Sequence, residues 1–149
     1  MKLSQAIKEF KSSSTYKDQG GIHWFVWLLE NPKSPIAMAG AVDLYNHDII
    51  HILLDRGMEI GDEAAVIGFT MGNSDATSSC VKWMFLFCAK WLYPEGYRFQ
   101  DDDIQEYEKG YAYGSNLSKR DIHLESFDIN EDVRDIRKRF RINYKETRN

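Results

Sequence analysis

The sequence predicts an all-α protein, a single-domain bundle of about six to seven helices over residues 1–149. Apolar residues recur at helical spacing in several stretches, and no stretch shows the convincing apolar-polar alternation of a half-buried strand. With 149 residues, 43% of them hydrophobic, the chain is long enough to bury one core. It contains no internal repeat, P-loop, dinucleotide fingerprint or Ser/Cys nucleophile motif.

The N-terminal part of the chain predicts two helices and a loop. Helical spacing marks a short first helix at Leu3, Ile7 and Phe10. The polar run that follows predicts a flexible loop at 12–21. The dense apolar run Ile22–Glu30 is compatible with a buried strand or a helix, and we favour the helix.

The next two predicted helices form a pair. The Ser34-Pro35 pair is typical of a helix start, and this helix is expected to reach about Asp55. Gly57 and Gly61 can end it and allow the chain to reverse. Asp62 is then the predicted cap of a return helix that extends to Met71.

A long aromatic helix is predicted from about Asp75 to Leu92. Its aromatic residues point in more than one direction, so they pack in the core or line an apolar groove formed by Trp83, Phe87 and Trp91. Core packing is the favoured interpretation. Cys80 and Cys88 on this helix are about 12 Å apart, too far for a disulfide, and predict reduced thiols in a reducing compartment.

Two further helices are predicted in the C-terminal part. Three aspartates, 101–103, suit a helix N-terminus, and the strip made by Gly110 and Gly114 favours close approach of a neighbouring helix over a flat ligand. A final amphipathic helix is expected to begin near Asn130 and to bury one face, formed by Val133, Ile136 and Phe140. The tail, 143–149, is expected to fray.

The net charge and the hydropathy of the chain limit the classes of partner and the location that we expect. The formal net charge is −4, and the basic residues are dispersed until the C-terminal helix, so nucleic acid is not expected as a partner. The basic C-terminal cluster is interpreted as a solvated face rather than an anion or acidic-lipid site. The N-terminus lacks the apolar core of a signal peptide, and no apolar run is long enough for a membrane span. We therefore expect a cytoplasmic protein.

The strongest functional signal is an H-D-x-x-H-x11-E string formed by His47, Asp48, His51 and Glu63. Residues four apart share a helix face, with Cβ atoms about 5 to 6 Å apart, so the two imidazoles can converge on one ion. Asp48 can add a ligand or orient an imidazole, and Glu63 can join once the chain reverses. Hydrogen-bonded core histidines are the alternative interpretation.

Imidazole and carboxylate ligands suit a divalent metal such as zinc, iron or manganese better than calcium, and zinc is our first choice. If His47, His51 and one carboxylate bind, coordination positions remain open for water or substrate.

This motif and its surroundings resemble the coenzyme Q (ubiquinone) biosynthesis scaffold family numbered four. The segment Glu106–Gly114 is similar to that family's helix with a glycine pair, and Phe127–Ile142 is similar to its closing segment with an Arg-bearing helix. Two departures are Ala41–Asn46, which replaces a more basic approach to the motif, and Asp62, where a glycine usually precedes the glutamate.

The resemblance implies an all-helical protein with a metal site formed by the four motif residues beside a groove for polyprenyl lipids. It also implies peripheral contact with the inner face of a membrane and with other quinone-biosynthesis proteins. The implied activity is metal-dependent oxidative decarboxylation at the head group of a polyprenylated ring precursor, with the motif residues as catalytic groups. Catalysis and a pure scaffold role both stay open.

Two other functions and a homodimer are left open by the residues. An HD-type metal-dependent phosphohydrolase would use His23 together with the His47-Asp48 doublet. A non-catalytic module would hold a prenyl chain or a partner helix in the apolar groove. An exposed part of the aromatic helix would serve a second copy or a membrane surface equally well.

Overall fold

The computed structural model describes residues 1–12, 44–93 and 95–147, and the chain is all-α in these ranges, as predicted. It contains six α-helices there: α1 (Leu3–Ser12), α2 (Leu44–Leu54), α3 (Ile60–Asn73), α4 (Ser79–Phe87), α5 (Asp101–Asn116) and α6 (Val133–Phe140). The only β-type pairing among the described residues is an isolated bridge between Lys2 and Asp132. The helix predicted over Ile22–Glu30, the first part of the helix predicted from Ser34, and most of the 12–21 loop lie outside the described residues.

The turn between α2 and α3 is made by an aspartate rather than by the predicted glycines. Asp55 adopts the left-handed conformation with φ 56°. The backbone N–H of Arg56 then donates to the carbonyl of His51 over 2.9 Å, a bond that closes the last turn of α2. Gly57 has a different role, because a Cβ there would lie 2.9 Å from the Asp62 carboxylate.

The aromatic helix is shorter than predicted. It begins at Ser79, because the Ser78 side chain accepts a hydrogen bond from the Val81 N–H and caps the helix there. After Phe87 the chain continues as a π-helix, Cys88–Leu92, whose end is marked by a hydrogen bond from Tyr93 N–H to the Cys88 carbonyl over 2.9 Å. Both cysteines are free thiols, as predicted.

Helices α3 and α5 cross at backbone contact through four glycines. A Cβ on Gly68 would lie 2.1 Å from the Tyr107 carbonyl oxygen, and a Cβ on Gly110 would lie 2.1 Å from that of Ala65. The other two glycines of the crossing are Gly72 and Gly114. The predicted close packing along the α5 glycine strip is confirmed.

The core has two parts on either side of this crossing. The first is formed mainly by α1, α2 and α6, and includes the predicted apolar face of the last helix: Val133, Ile136 and Phe140. The second joins α3, α4 and α5 around the stacked rings of Phe85 and Tyr107. Of the helices that the structure describes, none combines the length and the apolar character needed to span a membrane.

The C-terminal segment has structure where the sequence predicts fraying. Residues Tyr144–Thr147 form a 3-10 helix. The N–H of Asn143 donates to the Tyr113 hydroxyl over 2.7 Å, and the Arg137 guanidinium lies 4.3 Å from the centre of the Tyr144 ring. The last helix itself begins at Val133 instead of near Asn130, because Asp132 caps it.

Candidate metal centre

Three of the four motif side chains converge where α2 packs against the first turn of α3. His47 Nε2 lies 2.9 Å from one Glu63 carboxylate oxygen, and His51 Nε2 lies 3.2 Å from the other. The two Nε2 atoms are 3.1 Å apart. Four-residue spacing on α2 brings the imidazoles together, and the reversal at Asp55 brings Glu63 to them.

The cluster is enclosed on the His51 side and partly open on the other. The His51 side chain is fully buried, whereas those of His47 and Glu63 are 14% and 25% exposed. Burial by itself would raise the pKa of Glu63, but the charges of His51 and His47, with their hydrogen bonds, hold that pKa well below its usual range. Glu63 therefore presents an ionised carboxylate to the two imidazoles.

Hydrogen bonds cannot satisfy all the contacts among His47, His51 and Glu63 at the same time. If one imidazole donates to the other, the accepting Nε2 has no proton left for Glu63. If both Nε2 atoms donate to Glu63, two N–H groups face each other at 3.1 Å. A cation placed between the three atoms would instead take a lone pair from each.

The spacing of the three atoms fits such a cation. All three lie within 4.8 Å of one another. Ligands at about 2.1 Å from a zinc-sized ion are separated by about 3.0 Å at octahedral angles and about 3.4 Å at tetrahedral angles. The His47 and His51 Nε2 atoms are 3.1 Å apart, and each lies 2.9–3.2 Å from a different Glu63 oxygen, so these separations are of the size that such an ion requires.

Asp48 lies beside the cluster and is not one of its three converging groups. Its side chain is 1% exposed, and one carboxylate oxygen is 3.6 Å from Lys11 Nζ on α1. Burial raises the pKa of Asp48, while the charges of His47, Lys11 and His51 oppose the rise. The pairing of Asp48 with Lys11 carries no sequence signal.

The His51 ring is positioned by packing. Its Nδ1 is buried and has no hydrogen-bond partner among the described residues. The Phe10 ring of α1 lies against it, with ring centres 5.4 Å apart. Nearby, an open cleft of about 550 Å³ is bordered by His51 and by residues of α1 and α6, including Phe10, Val133 and Arg137. His47 and Glu63, which lie on the more open side of the cluster, are not among the residues that border this cleft.

Arg56 links the start of α3 to α5, a role that the sequence did not predict. Its guanidinium lies 3.1 Å from the Asp62 carboxylate and 3.0 Å from the Glu106 carboxylate on α5. Asp62 also accepts from the Gly57 N–H over 2.9 Å. The predicted capping role of Asp62 is therefore wrong: it lies in the first turn of α3, and the N-cap position belongs to Glu59.

The three aromatic residues predicted to pack in the core or to line a lipid groove lie on the surface. Trp83, Phe87 and Trp91 are 69%, 45% and 62% exposed. They occupy one face of α4 and the π-helix, and none of them borders the cleft at His51. The favoured core interpretation holds for Phe85, which is buried, but not for these three.

Comparisons with known proteins gave no match to any family model, curated protein or solved structure. The resemblance to the quinone-biosynthesis family consequently stays a prediction. His23, which the phosphohydrolase alternative requires, lies outside the described residues.

Proposed function

We propose that this protein binds one divalent cation through His47 Nε2, His51 Nε2 and the Glu63 carboxylate, and presents it to a substrate. The observation that carries the proposal is the convergence of these three ligand atoms within 4.8 Å of one another. Two imidazoles and one carboxylate suit zinc, iron or manganese, with zinc as the first choice. Three protein ligands leave coordination positions open.

The three ligand residues would have different roles around such a cation. His51, fully buried, would fix the inner ligand position, and the partly exposed His47 and Glu63 would border the open side. The Glu63 carboxylate would offset part of the cation's charge. A bound cation would supply Lewis acidity to a substrate oxygen.

For the substrate we propose a polyprenylated ring precursor whose head group reaches the cation. This part of the proposal is supported by the H-D-x-x-H-x11-E order of the motif. It would be tested by mass spectrometry of lipids that copurify with the protein. A prenylated ring compound retained by the wild type and by Glu59→Gln but released by Glu63→Gln would support it, and copurified lipids without such a compound would count against it.

The cation itself is tested by elemental analysis of purified protein and by calorimetric titration with zinc, manganese and ferrous iron. We expect one metal ion per chain, lost in His47→Ala and in the nearly isosteric Glu63→Gln. Glu59→Gln is the matched control, since Glu59 is exposed and lies just before the same helix. His23→Ala tests the phosphohydrolase alternative and should keep its metal.

Two results would overturn the proposed cation site. One is a wild-type protein that takes up no divalent metal under any of these conditions. The other is full occupancy in folded Glu63→Gln protein, with folding checked by circular dichroism.

A further inference from the structure

Helix α4 and the π-helix after it present a continuous apolar surface, which we call the α4 face. It consists of five side chains that are 45–69% exposed: Trp83, Met84, Phe87, Trp91 and Leu92. The rings of Trp83 and Phe87 stack on this surface with centres 5.7 Å apart. This set of residues is separate from the metal centre.

The π-helix helps to keep the aromatic residues of this face aligned. On an α-helix, four residues rotate about the helix axis by about 40° more than one full turn. Side chains at positions 83, 87 and 91 would therefore be spread over about 80° around the axis. The π-turn, closed by the hydrogen bond from Tyr93 N–H to the Cys88 carbonyl, has more residues per turn. The rotation per residue is therefore smaller than on an α-helix. Trp91 therefore stays close to the line of Trp83 and Phe87.

The size of the α4 face matches the apolar part of a homodimer interface. Large side chains present roughly 150–250 Å² each when fully exposed, so the exposed area of the five side chains is roughly 400–700 Å². A standard interface buries about 800 Å² per partner, of which about 65% is apolar in homodimers, or about 520 Å². Exposed apolar residues scattered singly would not reach this area.

The charges at the edges of the face also favour a second copy over an acidic membrane. Lys82 pairs with Glu108 at 2.6 Å, and Lys90 pairs with Asp101 at 2.8 Å. The two lysines beside the face are therefore already neutralised by acidic groups of α5. An anionic lipid surface would find little free positive charge here, whereas two locally neutral edges can meet without repulsion.

We infer that the α4 face pairs with the same face of a second copy of this chain about a two-fold axis near Phe87. A two-fold axis across the helices runs them antiparallel, because each residue contacts the partner's equivalent surface. Trp83 of one copy then meets the partner's Trp91, and the two Phe87 rings lie at the centre. Central aromatic residues contribute most to the affinity of such interfaces.

Sedimentation velocity over a wide range of concentration tests this inference on the full chain. We expect a monomer-dimer equilibrium whose Kd is weakened at least about tenfold by Trp83→Glu or Trp91→Glu, and about a hundredfold or more by the double variant. Leu124→Glu is the matched control: Leu124 is 66% exposed but outside the α4 face, so the same change of charge should leave Kd unaltered.

Three results would overturn the inference. They are a wild-type monomer at every concentration, a dimer that survives in the double variant, and a dimer weakened equally by Leu124→Glu. Flotation with phosphatidylcholine and phosphatidylglycerol vesicles accompanies the experiment. A monomer that floats with vesicles, and does not float as Trp83→Glu, would assign the face to a membrane.

Discussion

The guanidinium of Arg137 donates to the backbone carbonyl of Leu53 over 2.9 Å, across 84 residues of sequence. It also donates to the carbonyl of Ile52 over 2.7 Å. These carbonyls belong to the last turn of α2, where intrahelical partners run out. The last helix of the chain thus secures the end of the helix that carries both motif histidines.

Removing the Arg137 side chain should therefore destabilise the whole fold. We expect Arg137→Ala to lower the free energy of unfolding by about 2–3 kcal/mol, because two charge-assisted hydrogen bonds to backbone carbonyls are lost. Urea unfolding followed by circular dichroism measures the change. The control is Lys138→Ala, which removes a 79% exposed side chain and should stay within about 0.5 kcal/mol. Equal losses in the two variants would contradict this role.

The glycine crossing of α3 and α5 should not tolerate a methyl group. A Cβ at Gly68 or Gly110 would lie 2.1 Å from a backbone carbonyl oxygen of the facing helix, and neither backbone can move without parting the helices. We expect Gly68→Ala or Gly110→Ala to cost at least about 3 kcal/mol, or to prevent folding.

Gly96→Ala is the control for this prediction. A Cβ at Gly96 has no neighbour within 4 Å, so the change should stay within about 0.5 kcal/mol in the same urea assay. A Gly68→Ala protein as stable as Gly96→Ala would show that the two helices are farther apart than described.

Cation binding should stabilise the folded state by mass action. At a free zinc concentration of about 100 times Kd, the gain is about 2.7 kcal/mol, and a chelator should reverse it. Differential scanning calorimetry with zinc, and then with excess chelator, measures the effect. Glu63→Gln should show no gain while Glu59→Gln behaves as the wild type. A zinc-induced gain that persists in Glu63→Gln would place the cation elsewhere.

Burial of His123 should make stability fall in mild acid. This side chain is 3% exposed, its Nδ1 has no hydrogen-bond partner within the described ranges, and burial lowers its pKa despite the opposing charge of Asp121. The unfolded chain, with a His pKa of about 6.5, then binds a proton that the folded chain resists. No free energy of unfolding is lost to His123 protonation above about pH 6.5, because His123 is then neutral in both states. As the pH falls below about 6.5, the unfolded chain binds the proton more readily and the free energy of unfolding decreases.

His123→Gln isolates this effect from other titrating groups, because glutamine stays neutral. We expect the wild type to lose stability relative to the variant between about pH 7.5 and pH 5, as measured by urea unfolding at each pH. A stability difference that does not change with pH would mean that His123 titrates alike in both states.

The helical class and the motif could be read from local patterns. Helical spacing identified the buried face formed by Val133, Ile136 and Phe140, and four-residue spacing put His47 and His51 on one side of one helix. The glycine pair of α5 predicted close packing because only glycine permits backbone contact there. Each of these inferences depends on residues within a few turns of one another.

Contacts between distant segments could not be read in this way. Several groups of similar chemistry could have joined the histidines, and only the reversal at Asp55 and the packing of α1 placed Glu63 in the cluster and Asp48 beside Lys11. No sequence pattern predicted that Arg56 would link the start of α3 to α5.

The sequence by itself determined an all-α chain, its apolar helix faces, and two histidines that share one face. Only the tertiary structure decided that Glu63 meets those histidines and that Trp83 is exposed while Phe85 is buried. The physical reason is that periodicity specifies which residues share a face, whereas the partner of that face depends on how distant helices pack. An aromatic helix shows the same pattern whether a neighbour covers one of its sides or two.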